Sequence, residues 1–216
     1  MENTGVIAHA DPAALRRSGR PLSFDRNAAL NAAMLLFWRH GYEATSLSDL
    51  TTAMGVTPPS VYAAFGNKKR LFLEAVGLYL AGASSPQGII DRAPTARSAA
   101  LALMSGAAIG FTGEATPPGC MLATSAISVS AAAADVQAEL AAIRNAVEAH
   151  LRARIEREID ANELPADTDA DALAGHTTAV IQGLSTLARD GSTRDKLLRI
   201  VKVAISVWPA ESCAPA

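Results

Sequence analysis

The sequence predicts an all-α fold, on three observations. Apolar residues fill 50% of the 216 positions while aromatics fill only 5%, leaving Ala, Val, Ile and Leu to build the core. Those residues recur every three or four positions rather than alternating, which is the period of a helix buried on one side. The length exceeds that of a typical domain but falls short of two large ones, so a small module joined to a larger body is expected.

Residues 1–22 have no periodicity and end in Arg16, Arg17, Gly19, Arg20 and Pro21, which reads as a flexible basic arm. Ser23 is placed to cap a first helix through His40, with Leu30, Met34 and Phe37 on one face and Gly41 as the stop. Ser46 and Asp49 form a capping box with the shorter acid, opening a short helix that buries Leu47, Leu50 and Met54 before Gly55 breaks it. Thr57 is placed to cap the next helix, with Pro58 in the first turn, and that helix runs to about Ala64. Asn67 caps a fourth, which turns Leu71, Phe72, Ala75, Val76 and Tyr79 to the core and fades over residues 82–87.

Beyond it the pattern predicts a helix over residues 95–111, a Gly/Pro-rich loop over 112–119 and a helix starting near Cys120. Val136, Leu140, Ile143, Val147, Leu151, Ile155 and Ile159 mark a long amphipathic helix over 134–159. Acidic residues 167–171 open a helix that runs to about Arg189, and a last helix covers about 194–208, stopped by Pro209. The expected domains are the arm at 1–22, a helix-turn-helix domain at 23–72, a helical body at 73–209 and a tail at 210–216.

The net charge of -2 hides an asymmetry: residues 1–72 carry eight Lys/Arg against five Asp/Glu, and residues 73–216 carry eleven against sixteen. A basic segment facing phosphate beside an acidic remainder fits that split. No apolar run suits a bilayer and no signal pattern opens the chain, so a cytoplasmic protein with no membrane partner is expected. Cys120 and Cys213 are too few for a disulfide scaffold and lack zinc spacing, so both are expected as reduced thiols. No G-x-S-x-G elbow, phosphate-cradling loop, dinucleotide fingerprint or H-E-x-x-H occurs, so neither an enzyme nor a bound cofactor or metal is expected.

A helix-turn-helix needs a positioning helix, a tight turn and a second helix whose exposed side reaches the major groove, and residues 47–64 meet those needs. Taken alone the pattern also suits a pair of core helices. The run from Phe37 to Ser46, then Leu50, then Gly55-Val56-Thr57, then Val61 to Lys68, closely resembles the TetR family signature. The resemblance covers about residues 24–72 and implies a one-component transcriptional repressor: a three-helix DNA-binding domain, a divergent ligand-binding body and a homodimer formed by the last two helices.

By matching positions, the resemblance places Thr45, Tyr62 and Lys68 at phosphates of double-stranded operator DNA, contacts that set register. Base reading falls to Thr57, Pro59, Ser60 and Ala63. Pro59 stands where the family often has Gly or a polar residue, and Ala64 where it has His or Tyr. With no Arg, Lys, Asn or Gln on this helix, readout must use hydroxyls, thymine methyls and shape. Arg16, Arg17 and Arg20 are candidates for added minor-groove or phosphate contacts. The plainer alternatives are that Thr45 and Thr57 only cap, Tyr62 only packs and Lys68 is a solvated charge.

The resemblance also implies a pocket for a small organic effector, with Phe111, Cys120, Met121, Thr124, His150 and His176 as candidate lining, against the alternative of ordinary core and surface roles. The Gly119-Cys120 pair resembles a branch of the family that answers reactive or small organic compounds. Cys120 is then either an electrophile or oxidant sensor or a small buried apolar residue. Dimerisation is expected along residues 168–189 and 194–208, through Val180, Gly183, Leu184, Leu187, Leu197, Val201, Ile205 and Trp208, with an intramolecular core as the alternative. Effector or thiol modification would spread the two reading heads and release an approximately palindromic operator.

Overall fold

The computed structural model describes residues 24–81 and 85–209, and in them every regular element is helical. The basic arm with Arg16, Arg17 and Arg20, the proposed cap Ser23, the tail and Cys213 lie outside the described residues. None of the described helices is long and apolar enough to cross a membrane.

Helix α1 (Arg26–His40) is capped by Asp25, whose carboxylate accepts from the N–H groups of Asn27 and Ala28. Helix α2 (Leu47–Met54) opens on the complete Ser46–Asp49 capping box. It ends at Gly55, whose φ of 65° and ψ of 33° place it in the left-handed region, where an L side chain is strained. Helix α3 (Pro58–Phe65) follows directly. Thr57 precedes it without capping it through its side chain, contrary to expectation. The reason is local: Pro58 and Pro59 have no N–H, and the first available donor, Ser60 N–H, is taken by the Thr57 carbonyl at 3.0 Å.

Helix α4 (Lys68–Leu80) starts at the Asn67 cap and buries Leu71, Phe72, Ala75 and Val76 against α1. Phe72 meets Phe37 edge-on at 5.0 Å and lies 5.0 Å from the Tyr42 ring. A further helix, α5 (Pro86–Arg92), begins at the end of the stretch expected to fade, too short to show a period but opened by a Ser85 cap and a first-turn proline. Helix α6 (Ala96–Gly110) starts at the Thr95 cap. The helix foreseen at Cys120 is a single turn, α7 (Met121–Thr124).

The long helix α8 (Ala134–Asp160) spans 27 residues, about 40 Å at 1.5 Å per residue. Near its end Glu158 is buried, accepting from Ala96 N–H at 2.7 Å and Arg154 Nε at 2.8 Å, so it pins α8 to the start of α6. Helices α9 (Ala170–Arg189) and α10 (Arg194–Ala204) complete the body, and a 3-10 turn at Ile205–Val207 replaces the last part of the expected helix. Helix α9 packs on α6 and α8, and α10 packs on α6 and α9. One continuous apolar core runs from Ala29 in α1 to Trp208.

Candidate nucleic-acid interface and the cavity behind it

Helix α3 is held by its inner face and leaves its outer face free. Val61 and Phe65 are buried, whereas Thr57, Pro59, Tyr62 and Ala63 are exposed and Ser60 is half-buried. Arg26 secures the far end of the helix, lying 4.5 Å over the Phe65 ring and pairing with Glu74 of α4 at 2.5 Å. Tyr62 is 52% exposed, so its phenol is available to a partner. The Thr57 and Ser60 hydroxyls stand 3.0 Å apart on the same surface.

Two expected phosphate contacts are modified by this geometry. Thr45 is 1% exposed and its hydroxyl donates to the Gly41 carbonyl at 2.7 Å, so its side chain closes the turn after α1 and is withdrawn from the surface. Ser46, one position on, is the exposed hydroxyl that caps α2. Lys68 is half-buried with its ammonium 4.5 Å over the Tyr42 ring. Burial lowers its pKa, opposed by the nearby carboxylates of Glu43 and Asp49.

Behind the head, a cavity of about 610 Å³ opens among the end of α4, the first turns of α5, the second half of α6 and the middles of α8 and α9. Trp38 reaches it from α1, and Tyr79, Phe111, Cys120, Arg144, Thr178 and Gln182 contribute to its wall. Of the six expected lining residues, Phe111 and Cys120 are in place. Met121 is fully buried behind the wall, and Thr124 is engaged with the Cys120 carbonyl at 2.8 Å and with Arg189 at 3.3 Å. His150 is outside, paired with Asp91 at 2.7 Å, and His176 faces the Ala204 carbonyl at 3.2 Å. Chain position alone put those four near the cavity; helix phase turns them elsewhere.

The Gly119-Cys120 peptide ties cavity, head and body together. Trp38 Nε1 donates to the Gly119 carbonyl at 3.0 Å, Cys120 N–H donates to the buried Ser185 Oγ of α9 at 2.8 Å, and Tyr79 Oη of α4 donates to Cys120 Sγ at 3.4 Å. Burial, with the Cys120 sulfur adding to it, pushes the Tyr79 phenol far up, so Tyr79 stays protonated and able to donate. Residue 119 must be glycine: its φ is 81°, and a Cβ there would sit 2.8 Å from Arg189 Cγ and 2.9 Å from the Ser185 carbonyl oxygen. Arg189 then reaches back to α1, donating to the carbonyls of Trp38 at 3.3 Å and Arg39 at 3.1 Å. Tyr42 N–H donates to the Ser125 carbonyl just after α7, at 2.8 Å. Sequence reasoning missed Trp38, Tyr79, Arg144, Ser185 and Arg189 in these roles. The one available signal was that a buried indole N–H needs an acceptor.

Of the eight residues expected at a dimer interface, Leu184, Leu197, Val201, Ile205 and Trp208 belong to this chain's own core. Val180 and Leu187 are half-buried and Gly183 is exposed. The large apolar side chains left in solvent on the last helical stretch are Val203, 71% exposed, and Val207, 60% exposed.

Comparison with known proteins finds matches in both parts of the chain. Residues 29–75 match the model for bacterial regulatory proteins of the tetR family, and residues 99–203 match a tetracyclin repressor-like C-terminal domain. The chain is 35% identical over 193 residues to the HTH-type transcriptional repressor ComR of Escherichia coli, covering 88% of this chain and 92% of that protein. Similarity to the HTH-type transcriptional repressor BdcR of the same organism is confined to 77 residues at 39% identity, 36% of this chain and 39% of that one. Among solved structures, a cysteine mutant of the TetR family transcriptional regulator CifR, complexed with 26-base-pair double-strand operator DNA, is 39% identical. It aligns with a TM-score of 0.83 over 88% of this chain and 100% of that one.

Proposed function

Because the chain belongs to the TetR family of bacterial regulatory proteins, we propose that it is a one-component repressor that grips a palindromic operator as a homodimer and releases it when a small organic effector or a thiol-reactive compound acts in its body. The observation that carries the reading is the free outer face of α3, where Thr57, Pro59, Tyr62 and Ala63 are exposed above a buried Val61–Phe65 side. The operator complex of CifR supports it. Tyr62 and Lys68 donate to phosphates and set register, while Thr57, Ser60 and Pro59 meet base edges and thymine methyls. The arginines of the arm add contacts to the backbone or minor groove.

The homodimer forms on the exposed side of α9 and α10, with Gly183 allowing close approach and Val203 and Val207 supplying apolar area. Its two heads then address half-sites about 34 Å apart or a multiple of that, so a small displacement of each head mismatches the operator. An effector in the cavity touches Trp38, Tyr79 and Cys120 together, and Trp38 lies in the helix that leads into the reading head. The bound form therefore favours a different setting of the Gly119-Cys120 peptide against α1, a population shift. Alkylation of Cys120, in which an electrophile bonds to Sγ and the thiol proton leaves, acts at the same point by placing a group where Tyr79 Oη now donates.

Genome-wide protected-site mapping with purified protein tests the reading. A palindrome is expected, with Tyr62→Ala weakening binding to it roughly tenfold to a hundredfold, the size of a lost hydrogen bond to a charged group. Salt-sensitive binding without a preferred site, unchanged by Tyr62→Ala, would overturn it.

A further inference from the structure

We propose that the cavity takes an organic monocarboxylate with an apolar body, its carboxylate held by Arg144; this rests on reading the cavity as the effector site. The wall contains one charged side chain, Arg144, and no Asp or Glu. The rest is dominated by groups such as Leu80, Ile89, Leu103 and Ile109, with Thr178 and Gln182 as neutral hydrogen-bonding groups. Two other arginines of α8 are matched with acids: Arg152 with Glu156 and Asp171, and Arg154 with Glu158. Arg144 has a carbonyl instead, donating from Nη1 to Leu122 O at 2.7 Å.

That single bond anchors one corner of the guanidinium. Five N–H donors in a rigid plane suit a carboxylate, which accepts two parallel bonds where a carbonyl accepts one. Arg144 is half-buried with no counter-charge on the wall, so an incoming anion gives the guanidinium a charged partner, whereas an amine would meet repulsion with no acid to receive it. The volume of about 610 Å³ accepts a body of many carbons. The position also gives the charge a consequence. Leu122 belongs to α7, whose preceding peptide is held by Trp38 of the head and Ser185 of α9. An anion that draws the guanidinium therefore acts on the segment that joins cavity to head.

Isothermal titration of the full-length protein with saturated monocarboxylates from hexanoate to dodecanoate, and with the primary amide and alcohol of each chain length, tests the assignment. One carboxylate is expected to bind at least about tenfold more tightly than its amide and alcohol, the scale of a charge-assisted pair. Arg144→Met should abolish that preference while leaving amide and alcohol binding intact, and Arg144→Lys should restore part of it. Gly106→Leu, at a wall position where an added Cβ meets nothing within 4 Å, should block every compound. Equal binding of acid, amide and alcohol, blocked by Gly106→Leu, overturns the carboxylate and leaves the cavity reading standing. A carboxylate preference that survives Arg144→Met also overturns the assignment to Arg144. Binding of none, or binding indifferent to Gly106→Leu, overturns both.

Discussion

The reading head and its junction with the body are fixed by polar contacts of different range. Within the head the capping contacts are local: Asp25 with Asn27 and Ala28, Ser46 with Asp49, Thr57 with Ser60, Asn67 with Arg70, while Arg26 with Glu74 ties α1 to α4. At the junction with the body the decisive ones join residues 65, 81 and 151 positions apart, at Ser185–Cys120, Trp38–Gly119 and Arg189–Trp38. Local caps fix the starts of α1, α2 and α4 from within the head, beneath an α3 face left free for a partner. A junction fixed by distant segments shifts when any one of them is displaced, which is what a ligand-controlled release requires.

The strongest challenge to that contrast is the apolar core, which crosses the boundary. Phe72 of α4 is fully buried against Phe37 and Tyr42 of the head while its helix continues to the cavity. Phe72→Ala is expected to cost about 3–5 kcal/mol, the range for truncating a buried aromatic ring. Urea unfolding followed at Trp38 and at Trp208, each in a variant with the other Trp replaced by Phe, should give one coincident transition that moves to lower urea. Two separate transitions would break the idea that head and body share a cooperative core and differ only in their polar fixings.

A sharper comparison makes one substitution, Ser→Ala, in each region. Ser185 is fully buried and its hydroxyl is the partner of Cys120 N–H, so Ser185→Ala leaves a buried donor unpaired. The expected loss is about 1–3 kcal/mol. It should be accompanied by faster reaction of Cys120 with a maleimide, because the Gly119-Cys120 peptide loses its hold on α9. Unchanged stability together with unchanged thiol reactivity would show that this contact does not fix the junction.

The same contrast explains what could be read from sequence. The head's elements follow from neighbours along the chain: Ser46 and Asp49 three apart, Gly55 where a left-handed residue is needed, Asn67 before Lys68. Burial of Leu50, Val61 and Phe65 follows from period, and exposure of Tyr62 follows from theirs. Matching of positions assigns Thr45 to phosphate but carries no sign that its hydroxyl is taken by the Gly41 carbonyl. In the body, period located α6, α8, α9 and α10 but not which apolar residues meet another helix of the same chain. Leu184, Leu197 and Val201 suit an interface and a core equally by pattern, and the packing of α9 on α6 and α8 and of α10 on α6 and α9 claims them for the core. Arg144 looks like any surface arginine of an amphipathic helix until Leu122 and the cavity are placed beside it.

The smallest expected effect falls in the head, at the other serine. Ser46 Oγ accepts from Asp49 N–H at 3.1 Å and donates to Asp49 Oδ2 at 2.6 Å, while Ser46 N–H donates to the same oxygen at 2.9 Å. Ser46→Ala should cost about 1 kcal/mol near neutral pH, the usual size of a lost N-cap, with α3 and its exposed face unaltered. The Ser46 hydroxyl, and after it the Ser46 N–H, hold the Asp49 carboxyl below its ordinary range. A folded-state pKa below the unfolded one means that the contribution is present above the unfolded value and is lost as pH falls through the folded value. In the variant the larger of those two causes is gone. The stability gap between wild type and Ser46→Ala should therefore narrow from about pH 7 to about pH 3 as the carboxyl titrates. Urea midpoints at the two pH values measure it. A gap that stays constant in acid would show that the carboxylate contributes nothing to the cap and that Ser46 acts on the helix end by its hydroxyl alone.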